Sequence, residues 1–280
     1  MGTLQGKVAF ITGAGRGQGR SHALRLAQEG ADIIALDVCA DAVETVPYGL
    51  ATSADLEETV ALVEATGRRI VAAEADVRDL GQVQKVVDAG LGELGRIDIV
   101  SANAGVGSWS VSWEMSEQLW KDMIDVNLTG VFHTVRAALP SMVERGEGGS
   151  VVLTSSTAGL IGYQHTAHYT AAKHGVLGLM KVLAQELAPH HIRVNAVCPT
   201  TVNTPLVVND ATFELFAPDV ANPGPDDVRE AFAALNAMPD VPWIEPSDVS
   251  DAVAWLSSDA ARYVTGIALP IDAGNVVKKG

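Results

Sequence analysis

Tyr169 and Lys173 stand four residues apart in His168-Tyr-Thr-Ala-Ala-Lys173, and Ser156 precedes the tyrosine by thirteen residues. On a helix, a four-residue spacing brings two side chains to one face, with Cβ atoms about 5–6 Å apart. A phenol with a reference pKa of ~10 accepts protons poorly at neutral pH, so a tyrosine used as a base needs its phenolate stabilised. An ammonium one helical turn away supplies that charge. Ser156 adds a hydroxyl able to hydrogen-bond the oxygen of an alcohol or carbonyl and hold it beside the tyrosine. Taken together the three describe proton transfer at an alcohol or ketone. Tyr-x-x-x-Lys alone is a common spacing, equally satisfied by an exposed aromatic beside a solvated lysine, so its meaning depends on the elements that position it.

The first of these elements is a nucleotide signature near the N-terminus. Val8 to Ile11 is a short apolar run of the kind found in strands buried on both faces. Thr12-Gly-Ala-Gly-Arg-Gly-Gln-Gly19 follows, then Ser21 to Glu29 with helical apolar spacing at Ala23, Leu24, Leu26 and Ala27. A glycine-rich turn between strand and helix lets the backbone approach a pyrophosphate, whose charge is favoured at the helix N-terminus. A second strand, Asp32 to Asp37, ends in a carboxylate about 20 residues further on, where a ribose ligand is expected. Asp37 can accept hydrogen bonds from a ribose 2′-hydroxyl and would repel a 2′-phosphate, which favours NAD over NADP. Arg16 in the glycine loop is the competing signal, since it could pair with such a phosphate, but the carboxylate outweighs it.

At this level of detail the chain resembles the short-chain dehydrogenase/reductase family over nearly its whole length. Gly13, Gly17 and Gly19, with Arg16 and Gln18 among them, are similar to the family's cofactor loop. Asp76 and Val77 resemble the pair that contacts adenine, and Asn103-Ala104-Gly105 the motif ending the fourth strand beside the cofactor. Asn127 falls where the family has an asparagine that bends a helix and anchors a relay water. Ser155 to Gly159 resembles the serine motif, and Pro199, Val202 and Thr204 the loop holding the nicotinamide amide. The resemblance implies a catalytic set of Asn127, Ser156, Tyr169 and Lys173, with Tyr169 and Lys173 also touching the nicotinamide ribose. Thr200, where the family commonly has glycine, is a departure expected to reshape the nicotinamide pocket.

A second departure is the connection between Asp37 and Asp76. With one helix from about Ala54 to Arg68, it leaves some sixteen residues, 38–53, where loops of about 2–6 are usual. This insertion resembles that of a carveol-dehydrogenase-like subgroup linked to the redox carrier mycofactocin, in which NAD stays bound; it is expected to fold over the adenosine end of the cofactor. Residues 206–245 hold seven of the twelve prolines if Pro205 and Pro246 at their borders are counted, together with Phe213, Phe216, Phe232 and Trp243. They match the family's substrate lid. With Trp109 and Trp113 they imply a small hydrophobic alcohol or ketone as substrate.

Composition bounds the remainder. A chain of 280 residues with 48% hydrophobic content fits a single α/β domain. The fold expected is a Rossmann-like doubly wound sheet of about seven parallel strands flanked by helices, with further strands at Ile70 to Ala75, Ile97 to Ala102, Ser150 to Thr154, Arg193 to Cys198 and Ala268 to Ile271. A net charge of −15 argues against nucleic acid and anionic membrane surfaces. Cys39 and Cys198 lack zinc spacing and read as free thiols, and no metal is expected. No long apolar run and no room for a signal peptide before the first strand point to a cytoplasmic protein. The resemblance implies a homotetramer, with the helix through Leu187 and the Leu119 to Glu144 helix at the interface. A hydroxysteroid dehydrogenase or 3-oxoacyl reductase of the same family is the alternative activity. A non-catalytic NAD-sensing module would have no need of the proton-transfer set.

Overall fold

The apolar runs become strands because helices cover both faces of the sheet they form. In the computed structural model, which describes residues 2–40 and 43–279, Val8–Thr12 (β1) and Asp32–Asp37 (β2) are buried at every position. With Ile70–Glu74 (β3), Ile99–Ala102 (β4), Gly149–Thr154 (β5), Ile192–Pro199 (β6) and Ala268–Ile271 (β7) they make a seven-stranded sheet in the order β3-β2-β1-β4-β5-β6-β7. All neighbouring pairs are parallel. The chain winds outward from β1 to β3, then returns to the other side of β1 for β4. That reversal opens a crevice at the carboxyl ends of β1 and β4, where open α/β sheets bind ligands.

Two apolar layers sandwich the sheet. Gly17–Gln28 (α1), Ser53–Glu64 (α2) and, further along, Pro246–Ser257 (α9) pack on one face through Ala23, Leu26, Val63, Val249, Val253 and Leu256. Leu80–Leu94 (α3), Glu117–Ile124 (α4), Gly130–Arg145 (α5) and Ala167–Leu187 (α6) cover the other, with Val83, Val87, Val135, Met142, Val176 and Met180 in the core. Asp210–Phe216 (α7) and Pro225–Ala233 (α8) form a small separate cluster of Val207, Phe213, Val228 and Phe232 above the crevice. Asn275–Lys279 (α10) ends the chain. Among the described residues no helix is long and apolar enough to cross a membrane.

Two helices are among the elements that differ from their sequence reading. The helix expected over 54–68 stops at Glu64, because Ala65 caps it and Gly67 turns at φ +79°. The helix expected over 119–144 runs from 117 to 145, interrupted by a π-turn at Asp125–Thr129 that contains Asn127. A π-turn inserts one extra residue into the helical ladder and releases backbone groups from regular pairing. Of the 38–53 insertion, Asp41 and Ala42 lie outside the described residues; Val38, Val43, Tyr48, Leu50 and Ala51 line the crevice, and Ser53 already belongs to α2.

Candidate active site

The glycine loop leaves β1 at Thr12 and becomes α1 at Gly17. A Cβ on Gly19 would lie 1.9 Å from the Gly13 carbonyl oxygen, so no larger residue lets the helix begin this close to the strand. The first N–H groups of α1 point into the crevice, the arrangement that favours a phosphate. Asn103, at the end of β4, is fastened to the same loop: its side-chain amide donates to the Thr12 carbonyl at 3.0 Å, and its backbone N–H to the Thr12 hydroxyl at 3.1 Å.

The Asp37 carboxylate at the end of β2 accepts from the Gly15 N–H and from the Val38 N–H, each at 2.8 Å. Burial pushes its carboxyl up from the ordinary range, while these bonds and the nearby Arg16 pull it back. Arg16 turns its guanidinium to the Gly49 carbonyl of the 38–53 segment. Its charge is therefore engaged with the insertion. Asp76 also reaches the crevice, with its carboxylate held by Arg78 at 2.6–3.1 Å.

Lys173 rises from the first turns of α6 and donates to the Thr154 carbonyl at 2.9 Å, with Nζ 5.5 Å from the Tyr169 ring centroid. Burial pushes the Tyr169 phenol up to about 12, against a hydrogen bond to Ser156 that lowers it, and burial brings Lys173 down to about 8. Within the protein's own groups, desolvation thus outweighs the Ser156 hydrogen bond at the phenol. Ser156 opens the turn after β5, its Oγ accepting from the Ala158 N–H at 3.1 Å and lying 3.5 Å from the Pro199 carbonyl. The Asn127 side chain is fully tied: its oxygen accepts from the Val106 N–H at 3.2 Å and its amide donates to the Val106 carbonyl at 3.0 Å. A methyl built on Gly105 would meet Asn127 Oδ1 at 2.8 Å and Lys173 Nζ at 3.6 Å, so these groups flank one narrow space.

Arg16, Asp37, Asp76, Asn103, Gly105, Asn127, Ser156, Tyr169 and Lys173 line a single cavity of about 720 Å³, as do Gly13, Gly17, Gln18, Gly19, Val77, Ala104, Pro199, Val202 and Thr204. Its far end is apolar, with Trp109, Leu206, Val207, Leu215, Phe216 and Phe232. His168 is buried with Nε2 3.0 Å from the Ser108 hydroxyl and is absent from the cavity wall.

Sequence reasoning missed several members of the wall. Tyr48, in the insertion, accepts from the Gly107 N–H at 2.9 Å and so bridges the cavity opposite Arg16. The unusual length of that connection was the available signal. Tyr163 and Asn275 also face the cavity, and nothing local in the sequence marks Asn275, which lies beyond the last strand.

A parallel sheet wound about a dinucleotide crevice, with a serine, a tyrosine and a lysine at one end, defines a nucleotide-dependent oxidoreductase. Residues 7–214 match the family model for short chain dehydrogenase. The (-)-trans-carveol dehydrogenase of Rhodococcus erythropolis is 51% identical, over 99% of this chain and 100% of that protein. A putative short-chain type dehydrogenase/reductase of Mycolicibacterium smegmatis is 55% identical, over 99% of each chain. The crystal structure of carveol dehydrogenase from Mycobacterium avium in complex with NAD superposes with a TM-score of 0.97 at 55% identity, over 99% of this chain and 100% of the other. The chain belongs to the short-chain dehydrogenase family and is an oxidoreductase.

Proposed function

We propose that the protein oxidises a hydrophobic secondary alcohol of the carveol type, a terpenoid, with NAD as hydride acceptor. The observation that carries this is the meeting of Ser156, Tyr169 and Lys173 with an apolar chamber at one end of a cavity whose other end is Asp37. Glycine-loop amides would hold the pyrophosphate, Asp37 the adenosine ribose, and Pro199, Val202 and Thr204 the nicotinamide. NAD, when bound, accepts a hydride from the carbinol carbon at its nicotinamide C4.

The chain's residues handle the proton. Ser156 orients the alcohol oxygen, and Tyr169 as phenolate removes its hydroxyl proton. A phenol at about 12 is too weakly acidic for this, so the Lys173 ammonium, with the positive charge that bound NAD would add, would bring it down towards the working range. The proton then passes along Lys173 towards a relay water held by a backbone group that the π-turn at Asn127 frees. In the ketone-reducing direction the same groups act in reverse.

The 38–53 insertion is read as a strap that retains NAD: Arg16 grips it at Gly49 and Tyr48 grips Gly107 on the opposite bank. A retained cofactor requires a second electron acceptor, and mycofactocin fits that part. Residues 206–245 serve as the substrate lid. They carry eight acidic residues and a single base, Arg229, which disfavours the anionic acyl carrier of a 3-oxoacyl reductase. The exposed Trp120, Phe132 and Val182 on α4, α5 and α6 support a homotetramer assembled through those helices.

Purified protein given carveol and excess NAD tests both parts. NADH that stops near one equivalent per subunit supports a captive cofactor, and continued formation removes the strap reading while keeping the dehydrogenase. Tyr169→Phe should abolish turnover; substantial activity in that variant would refute the acid/base assignment.

A further inference from the structure

Five polar side chains outside the proton-transfer set form a chain of hydrogen bonds that leaves Ser156 on one side and returns to it on the other. Thr157, next to Ser156, lies 2.9 Å from the Tyr163 hydroxyl, and that hydroxyl also meets Asn275 Oδ1. An amide oxygen only accepts, so Tyr163 donates to Asn275 and Thr157 donates to Tyr163. The Asn275 amide donates to Asn236 Oδ1 at 3.3 Å and to the Leu235 carbonyl at 3.1 Å. The Thr200 hydroxyl donates to the same Asn236 oxygen at 3.2 Å. Thr200 follows Pro199, whose carbonyl faces the Ser156 hydroxyl at 3.5 Å.

Asn236 and Asn275 are each 1% exposed, and the Asn236 amide completes its own pairing at the Val241 carbonyl, 2.7 Å away. Buried amides of this kind are costly to unpair, so the circuit fixes the relative positions of what it joins. It joins four segments far apart in sequence: the serine turn, the C-terminal tail, the end of the 206–245 segment, and the loop after β6. Thr157, Tyr163, Thr200 and Asn275 also line the cavity. The hydroxyl at position 200, which a glycine would lack, is one of the links.

We infer that this closed circuit positions Ser156 relative to the lid, so that a substrate filling the apolar chamber and the hydroxyl that orients its oxygen are set by one network. Tyr163, Asn236, Asn275 and Thr200 are positioning residues; the inference rests on Ser156 being the orienting group. A closed circuit broken at one link is already open, and a second break adds little. Independent structural lesions at separate sites instead add.

The test uses Tyr163→Phe and Thr200→Val, which keep side-chain shape and remove one hydroxyl each, alone and together in the full-length protein. Steady-state oxidation of carveol is measured, with fluorescence titration of NAD for Tyr163→Phe. Each single variant should lower kcat/KM about tenfold, a change corresponding to ~1.4 kcal/mol. The double variant should fall no further than about twofold below the worse single one, and NAD affinity in Tyr163→Phe should stay within about twofold. A double variant near a hundredfold loss, or single variants with no loss, would overturn the circuit. Ser156→Ala separates the two ideas: if it retains substantial activity, the role of Ser156 fails whatever the other variants do.

Discussion

Tyr48→Phe isolates the strap in a single hydroxyl. The Tyr48 oxygen accepts from the Gly107 N–H at 2.9 Å across the cavity, while Arg16 secures the adjoining Gly49 carbonyl on the other side. Phenylalanine keeps the aromatic packing and deletes the acceptor, leaving a partly buried backbone N–H without its partner. Such a loss costs about 1–3 kcal/mol. If the bond must break before the dinucleotide can leave, the closed state loses that amount while the open state, with water on the N–H, does not. Release should therefore accelerate about five- to 150-fold, since each ~1.4 kcal/mol is a factor of ten. Stopped-flow displacement of bound NADH, followed by its fluorescence, reads the rate directly. An unchanged rate in a normally folded Tyr48→Phe protein would refute the Tyr48 hydroxyl as the latch that holds the strap to the Gly107 bank.

Other perturbations bear on different links. Asp37→Ala should weaken NAD and relieve repulsion of a 2′-phosphate, lowering the NAD-to-NADP preference about tenfold or more in kcat/KM; unchanged selectivity would remove Asp37 as the determinant. Alcohol oxidation requires the Tyr169 phenolate, so kcat/KM should rise with pH. Lys173→Met should move that limb upward by about one to two units in the pH–rate profile. His22 is buried between α1 and α9, with Nδ1 2.8 Å from the Ser250 hydroxyl, and burial lowers it from 6.5 to about 3. The unfolded chain thus binds the extra proton first: His22 costs no stability above pH 6.5, and stability falls as pH drops from 6.5 towards 3. At pH 5 this amounts to roughly 2 kcal/mol. His22→Gln should flatten the wild-type loss of Tm over that range, and parallel Tm curves would contradict the assignment.

The cofactor half of the site was legible because its information is local. Val8 to Asp37 holds strand, glycine turn, helix and acidic strand end in one run, and each position is constrained by the backbone beside it. Asn103, Asn127, Ser156 and Tyr169 were legible through resemblance, and they do line one cavity. The π-turn at Asn127 was not, since the apolar spacing on either side still reads as a helix. The end of α2 was misplaced by four residues because only the positive φ of Gly67 reveals the turn. Tyr48 and the amides at 236 and 275 were missed for a stronger reason: their partners lie 59, 36 and 112 residues away, and no periodicity encodes such pairing.

The attachment of the strap to the protein's own groups also separates speed from strength. Tyr48 and Gly49 are secured to Gly107 and Arg16, which are parts of the protein itself. On the proposed reading, a barrier made this way stands in the path of a dinucleotide travelling in either direction, and it would slow loading and departure by the same factor. The dissociation constant is left where the glycine loop and Asp37 set it. Long residence then demands no exceptional affinity, and changes at positions 48 and 49 can retune how long the cofactor stays while the contacts that choose NAD remain as they are.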